Sequence, residues 1–283
     1  MRQLIALAIL YAPLGAASPE YERALDLYSH TDYQASLQLL LPLQEKTAGE
    51  QVLIGQNYFM LGDAKRAVEF FQQAVARKPN KSVYYHWLGR AYGRRAEVGN
   101  PFAALGYASK ARQNFEKAVE LDPNNSEAVN DLFEFYLEAP GFVGGGMDKA
   151  VKIADRIAEM NAAEGNYARA RIAEKHKDYR GAEQHLRRAM ELAPRQVGRV
   201  IDLAKFLAKR GRFEESEQVF VAAEKLDPHA PKVLYARAAT YIETGRNLET
   251  ARELLEKYLA ASLTPDDPSR EEAQKLLRQA SGG

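Results

Sequence analysis

The residues with the clearest potential for chemistry are a glycine-rich segment, five histidines and several paired carboxylates. The segment GFVGGG at 141–146 has the composition of a phosphate-binding loop. No Lys-Ser or Lys-Thr follows it and a helical pattern precedes it, so it meets neither nucleotide fingerprint. No two histidines lie three or four residues apart, which excludes a metal pair on one helix. Pairs such as Glu214-Glu215 are typical of solvated helix faces. We therefore expect no catalytic centre, no metal and no cofactor.

The composition is that of an ordinary globular protein. The chain has 283 residues, of which 46% are hydrophobic and 27% charged, and its formal net charge is +1. That balance gives no bulk electrostatic attraction to nucleic acid or anionic lipid. The absence of cysteine excludes thiolate catalysis and cysteine-ligated zinc. We expect a folded, nearly neutral protein that does not bind nucleic acid.

The first 17 residues have the layout of a secretory signal peptide. Arg2 precedes an apolar run at 4–10, and the small residues Gly-Ala-Ala follow at 15–17. The run is far shorter than the ~20 residues that a spanning helix needs. A buried first helix is the alternative, which the proline within the segment disfavours. We expect cleavage after Ala17, no membrane span, and export to the periplasm or the extracellular space.

A repeat with a period of 34 residues runs through the rest of the chain. Two series of residues, one starting at Gly55 and one at Ala204, have the same spacing, with members at offsets of +3, +7, +12, +16, +19 and +24. The first series is Gly55, Tyr58, Gly62, Ala67, Phe71, Ala74 and Pro79. The second is Ala204, Leu207, Gly211, Ser216, Phe220, Ala223 and Pro228. The pattern resembles the tetratricopeptide repeat (TPR), a pair of antiparallel helices. This resemblance implies an all-α, right-handed α-α superhelical solenoid. About seven helix pairs fit residues 18–265, and residues 266–283 are predicted to form a C-terminal capping helix and tail.

The alternation of small and bulky residues explains the repeat physically. Small residues such as Gly55 and Gly89 on first helices, and Ala67 and Ala111 on second helices, allow the two helices of a pair to approach closely. Bulky residues such as Phe71 fill the space beside them. Glycines between the helices supply a left-handed residue at the helix end, and the Asp-Pro sequences end second helices.

The third and fourth units depart from the period. The third contains an insertion around Asn100-Pro101, which predicts two longer helices at about 82–98 and 102–121. The fourth contains a glycine-rich connection whose candidate residues are Phe142, Val143, Gly144, Gly145 and Gly146. We expect Phe142 and Val143 to pack against the extended pair, with Phe102 or Tyr107 as contacts. The connection either braces that pair or binds an anion through free backbone amides.

The family resemblance also implies that first helices line a concave groove. Its candidate residues are Gln56, Phe59, His86, Arg90, Asn130, Glu134, Tyr167, Arg171, Lys205 and Tyr235. Aromatic anchors mixed with amides and both charge signs suit a peptide or an amphipathic helix. The predicted function is a non-enzymatic protein- or peptide-binding scaffold of the cell envelope. The alternatives are an accessory component of a small-molecule uptake system, with a pocket near residues 139–147, and an enzyme built on a repeat scaffold.

Overall fold

Helices account for all the regular secondary structure in residues 18–282, which are the residues that this computed structural model describes. The signal peptide predicted for residues 1–17 lies outside them. None of the described helices is both long and apolar enough to cross a bilayer. The helices are α1 (Pro19–Ser29), α2 (Tyr33–Leu40), α3 (Ala48–Met60), α4 (Ala64–Arg77), α5 (Ser82–Val98), α6 (Pro101–Leu121), α7 (Ser126–Glu138), α8 (Met147–Met160), α9 (Ala162–Lys175), α10 (Tyr179–Leu192), α11 (Val197–Lys209), α12 (Phe213–Leu226), α13 (Pro231–Thr244), α14 (Leu248–Ala260) and α15 (Arg270–Ser281).

Consecutive helices form seven antiparallel pairs, from α1 with α2 to α13 with α14. Each first helix also packs on the neighbouring pair, which makes one continuous stack. Helix α15 covers α13 and α14 at the end of the stack. Its N-terminus is stabilised by a capping box between Ser269 and Glu272. The predicted all-α superhelical solenoid with a C-terminal capping helix is confirmed.

The close approach of paired helices rests on the small residues that the repeat predicts. A Cβ atom at Gly55 would lie 2.6 Å from the ring of Phe71, and one at Gly89 would lie 2.6 Å from the ring of Phe115. Both rings are buried. At the equivalent place in the sixth pair, Ser216 donates a hydrogen bond to the Ala204 carbonyl at 2.8 Å. Small side chains therefore set the spacing between helices within a pair.

The turns inside the pairs use left-handed residues. Gly62, Gly211 and Gly245 have φ values of 78°, 75° and 66°, as the repeat predicts. In the first and fifth pairs Thr31 and Lys177 adopt the same conformation, with φ values of 62° and 61°. Left-handed backbone at a residue with a Cβ costs roughly 1–2 kcal/mol. The turn geometry of the repeat therefore persists where the sequence does not provide glycine.

The third pair is longer than its neighbours, as the insertion predicts. Helices α5 and α6 contain 17 and 21 residues, whereas α3 and α4 contain 13 and 14. Asn100 caps α6 by accepting a hydrogen bond from the Ala103 amide at 2.9 Å. The Arg95 guanidinium lies 4.0 Å from the centre of the Tyr107 ring and links the two helices near their free ends.

The glycine-rich connection packs differently from the sequence-based expectation. It contains a short 3-10 helix, Gly141–Val143, and Val143 is buried, but Phe142 and Phe102 are both exposed to solvent. The contact with α6 is polar instead, because Arg112 Nε donates to the Val143 carbonyl at 3.2 Å. The predicted packing of Phe142 against Phe102 or Tyr107 is therefore wrong.

The backbone amides of the connection are satisfied by carbonyls of the connection and of the helix before it. The Gly144 amide donates to the Gly141 carbonyl at 2.9 Å, the Gly145 amide to Pro140 at 3.2 Å, and the Gly146 amide to Tyr136 at 2.9 Å. A Cβ at Gly145 would lie 1.8 Å from the Ala139 carbonyl oxygen. This tight turn leaves none of these three amides available to an anion, and the geometry favours a structural brace.

Candidate binding groove

Ion pairs join neighbouring first helices along the inner face of the stack. Arg171 on α9 donates to Glu134 at 2.8 Å and to Glu138 at 3.0 Å, both on α7. Lys175 Nζ, one turn further along α9, lies 2.6 Å from Glu138. Two of the predicted groove residues, Glu134 and Arg171, are therefore brought together. They hold adjacent repeats in register, and their charges are largely engaged.

A second group joins the second, third and fourth pairs. The Arg90 guanidinium lies 5.2 Å from the Phe59 ring centre and 4.5 Å from the Trp87 ring centre. These two rings meet edge to face at 5.6 Å. Arg90 also lies 3.7 Å from Asp131 on α7. The structure thus brings together Phe59 and Arg90, both predicted groove residues, with Trp87, which the sequence analysis did not single out.

His86 does not line the groove as predicted. Its side chain is only 1% exposed and its Nε2 lies 2.8 Å from Asp131 Oδ2. Its ring also packs 6.2 Å from the ring of Phe115. His86 lies three residues before Gly89, so both occupy the face of α5 that meets α6. Its function here is structural, because a buried polar ring is stabilised by its carboxylate partner.

The C-terminal segment meets the first three helix pairs. Arg94 on α5 lies 3.3 Å from Glu272 on α15, and the Cβ position of Gly62 is 3.5 Å from Glu271. Burial, with a contribution from the nearby Asp267 carboxylate, raises the pKa of Tyr33 to about 12. The C-terminal helix therefore lies near the first three pairs, and the Arg94–Glu272 ion pair joins it to the third.

An accessible cavity of about 350 Å³ remains on the inner face between the fourth and sixth pairs. Three predicted groove residues, Tyr167, Arg171 and Lys205, line it. The other lining residues are Glu138, Glu174, Lys175, Leu186, Asp202, Phe206 and Lys209. Lys175 and Lys209 lie one helical turn beyond Arg171 and Lys205, so the same helix face continues. That spacing is the signal that could have identified them from the sequence.

Some of the charged side chains around this cavity have an oppositely charged partner and others do not. Burial raises the pKa of Asp202 despite the Arg199 guanidinium, whose Nη2 lies 3.2 Å from its Oδ2. Burial likewise raises the pKa of Glu134, against the opposing effect of Arg171. Lys205 and Lys209 form no ion pair with any of residues 18–282. They are the cations that a ligand in this cavity could neutralise.

The remaining predicted residues do not converge on this cavity. Gln56 and Asn130 are half-buried on α3 and α7. Tyr235 on α13 packs 5.3 Å from the ring of Tyr258, close to the C-terminal helix. Apart from these three and His86, the predicted groove residues divide between this cavity and the group around Arg90, whose side chain is partly exposed.

A wider cleft of about 600 Å³ lies between the turn of the second pair and the extended third pair. Its arginines are already engaged. Arg66 Nε lies 2.5 Å from Asp63 and its guanidinium stacks on Tyr58 at 4.2 Å. Arg95 stacks on Tyr107 and donates to its hydroxyl. These contacts engage Arg66 and Arg95 but leave Lys65, so the cleft offers one cation without such a contact among residues 18–282, against two at the inner-face cavity.

The described residues contain no group of three or more histidine, aspartate or glutamate side chains placed to bind a metal ion. No curated protein matches this sequence. Solved structures do resemble it. A tetratricopeptide repeat protein from Parabacteroides merdae is 14% identical, with a TM-score of 0.59 over 93% of this chain and 97% of that one. A thermophilic TPR protein from Thermus thermophilus is 20% identical, with a TM-score of 0.55 over 66% of this chain and 97% of that one. At these identities the likeness concerns the fold alone.

Family models lead to the same assignment. Three models, each described as a tetratricopeptide repeat, match residues 173–225, residues 201–268, and residues 51–81 with 102–125. Together they extend over more than half of the chain. The matched stretches fall on helix pairs whose small-and-bulky packing and left-handed turns are described above. The chain belongs to the tetratricopeptide repeat family.

Proposed function

We propose that this protein is a non-enzymatic scaffold that binds an extended peptide segment of a partner protein on its inner face, in the cell envelope. Proteins of the tetratricopeptide repeat family act as protein-interaction scaffolds. The observation that carries the proposal is the inner-face cavity of about 350 Å³, which is lined by Lys205 and Lys209, two cations without an ion-pair partner among residues 18–282.

The chemistry of the cavity favours a peptide with an acidic group. Lys205 and Lys209 lie one turn apart on α11, and no carboxylate of residues 18–282 lies within ion-pair distance of either. Burial raises the pKa of the Asp202 carboxyl, although Lys205 is close enough to oppose that rise. Glu138 is already held by Lys175 and Arg171, and the Lys175 contact is the main reason why its pKa is lowered. A carboxylate of the partner would therefore meet a local excess of positive charge, while Tyr167 offers an aromatic surface.

The inner face is organised before binding. Arg171 bridges α9 to α7 through Glu134 and Glu138, and the Arg199 guanidinium lies 4.2 Å from the Tyr167 ring centre, which bridges α11 to α9. Side chains that are already fixed lose little conformational entropy when a ligand arrives. The ion pairs thus contribute to binding by holding the cavity in shape.

The envelope location depends on residues 1–17. If they form a signal peptide, the exported chain begins at Ser18, which is also the N-cap of α1. N-terminal sequencing of the protein from its native source tests this step. A chain that begins at Met1 and stays inside the cell would refute the location without affecting the inner-face proposal.

Quantitative affinity capture from the native envelope tests the binding proposal. The wild-type chain, a Lys205→Glu/Lys209→Glu variant and a Lys225→Glu/Lys257→Glu control serve as baits. The control makes the same charge change at exposed positions on second helices. We expect a partner that the wild type and the control retain and that the Lys205/Lys209 variant loses at least roughly tenfold, since each lost charged contact costs about 1.5–3 kcal/mol. Equal capture by all three baits would remove the site from this cavity.

A further inference from the structure

Four apolar side chains stand out from the surface at one edge of the solenoid. Phe102 is 95% exposed, Phe142 77%, Val98 72% and Leu105 50%, whereas every other large apolar side chain in residues 18–282 is at most 41% exposed. Val98, Phe102 and Leu105 lie at the free end of the α5–α6 pair, and Phe142 lies in the neighbouring connection. We call these four residues the apolar tip.

The length of the third pair explains why the apolar tip projects. Helix α6 has seven residues more than α4, and at 1.5 Å per residue this adds roughly 10 Å of helix that neighbouring pairs do not cover. Phe102, Leu105 and Arg112 share one face of α6 by their spacing. Arg112 donates to the Val143 carbonyl, which places the adjacent Phe142 on the same side of α6 but roughly 15 Å from Phe102 along the helix.

The charge near the apolar tip is positive, although the chain as a whole is nearly neutral. Residues 94–112 contain Arg94, Arg95, Lys110 and Arg112 but a single acid, Glu97. Arg94 pairs with Glu97 and with Glu272, and Arg112 pairs with Glu116. Arg95 and Lys110 stay without a carboxylate partner in the described chain. On the side of Phe142, Lys149 donates to the Gly144 carbonyl at 2.9 Å, and the preceding Asp148 offsets its charge, so the excess of positive charge comes from α5 and α6.

We propose that the apolar tip inserts into the surface of an anionic lipid bilayer. Aromatic and aliphatic side chains surrounded by basic residues match the acyl boundary and the charged headgroups of such a surface. The side of α6 that carries Phe102 and Leu105, rather than its end alone, lies against the bilayer, so that Phe142 reaches the same surface. Exposed apolar side chains of this size, grouped at one edge, mark an interaction surface.

Vesicle flotation with the full chain tests the proposal. The vesicles contain phosphatidylcholine alone or phosphatidylcholine with phosphatidylglycerol. A Phe102→Ser/Phe142→Ser variant removes the two aromatic side chains. A Val83→Ser/Leu226→Ser control removes two exposed apolar side chains away from this edge. All four positions are exposed, so the variants retain the fold, which circular dichroism verifies.

We expect the wild type and the control to float with anionic vesicles, and less so at high salt because the headgroup attraction is screened. The Phe102/Phe142 variant should bind at least roughly tenfold more weakly, since each inserted aromatic ring contributes a tenfold factor or more. Equal flotation of wild type and variant, or no flotation of the wild type, would overturn the proposal. So would wild-type self-association that the variant lacks, because the tip would then join copies of the chain. The Lys205→Glu/Lys209→Glu variant should float as the wild type does, which separates this proposal from the one for the inner face.

Discussion

Two glycines in helix α5 provide a direct test of the small-beside-bulky packing. Gly89 faces α6, and a Cβ there would lie 2.6 Å from two ring atoms of Phe115. Gly93, one turn later in the same helix, has no atom within 4 Å of the corresponding position. Replacing each glycine with alanine therefore adds the same methyl group in the same helix, once into a packed contact and once into open space.

The two substitutions should have opposite effects on the free energy of unfolding. Alanine in a helix interior is favoured over glycine by roughly 0.5–1 kcal/mol, so Gly93→Ala should stabilise the protein by about that amount. Gly89→Ala gains the same helix propensity but overpacks the contact with Phe115, which costs about 1–3 kcal/mol. Phe115 is buried and cannot move aside freely. We expect Gly89→Ala to be less stable than Gly93→Ala by about 1–3 kcal/mol.

Urea unfolding monitored by circular dichroism measures this difference. A third variant, Gly89→Ala/Phe115→Leu, replaces the ring with a smaller side chain and should recover part of the loss that the first substitution causes. Equal free energies of unfolding for Gly89→Ala and Gly93→Ala would refute the reasoning. So would a Phe115→Leu substitution that destabilises the Gly89→Ala variant as much as it destabilises the wild type, because relief of the overpacked contact should make its cost smaller in the variant.

Three further perturbations test other parts of the structure. Gly145→Ala should destabilise the protein strongly in the same urea assay, because its Cβ would lie 1.8 Å from the Ala139 carbonyl oxygen. Gly141→Ala is the control and should be tolerated, because its Cβ would have no atom within 4 Å. Arg94→Glu should replace the half-exposed ion pairs with Glu272 and Glu97 by repulsions and lower the free energy of unfolding by about 1 kcal/mol in the same assay, whereas an unchanged stability would contradict a contribution from this contact. Burial raises the pKa of Asp202, so the folded state holds this proton more tightly than the unfolded chain does. The stability of the wild type relative to Asp202→Asn should therefore increase as the pH falls from neutral toward the ordinary aspartate value of 3.8, and a constant or falling difference would contradict the burial argument.

The parts of the fold that follow from local residue patterns could be predicted from the sequence. The left-handed turns at Gly62, Gly211 and Gly245 agree with the structure. So do the extended helices of the third pair, which begin and end within one residue of the predicted bounds. These features depend on a few neighbouring residues or on a repeat that recurs along the chain, and such signals are visible in one sequence.

The site was less predictable, because it depends on the path of the superhelix. Pairing between Arg171 and Glu134 requires the tilt between successive pairs, which no local pattern encodes. The contact between Arg94 and Glu272 joins residues 178 positions apart and requires the curvature of the whole stack. His86 was predicted to face the groove from its position in the repeat, yet Phe115 of its own pair and Asp131 of the next provide the partners that bury it.

Photo-crosslinking from the inner face tests the central claim most directly. A photoreactive amino acid replaces Glu174, which lines the inner-face cavity beside the two lysines, or Lys225, which is exposed on the second helix α12. After irradiation in the native envelope, mass spectrometry identifies peptides joined to each position. We predict that position 174 is joined to a defined segment of a partner protein and that position 225 is not. Crosslinks at position 225 alone, or the same partner segment at both positions, would contradict a binding site on the inner face.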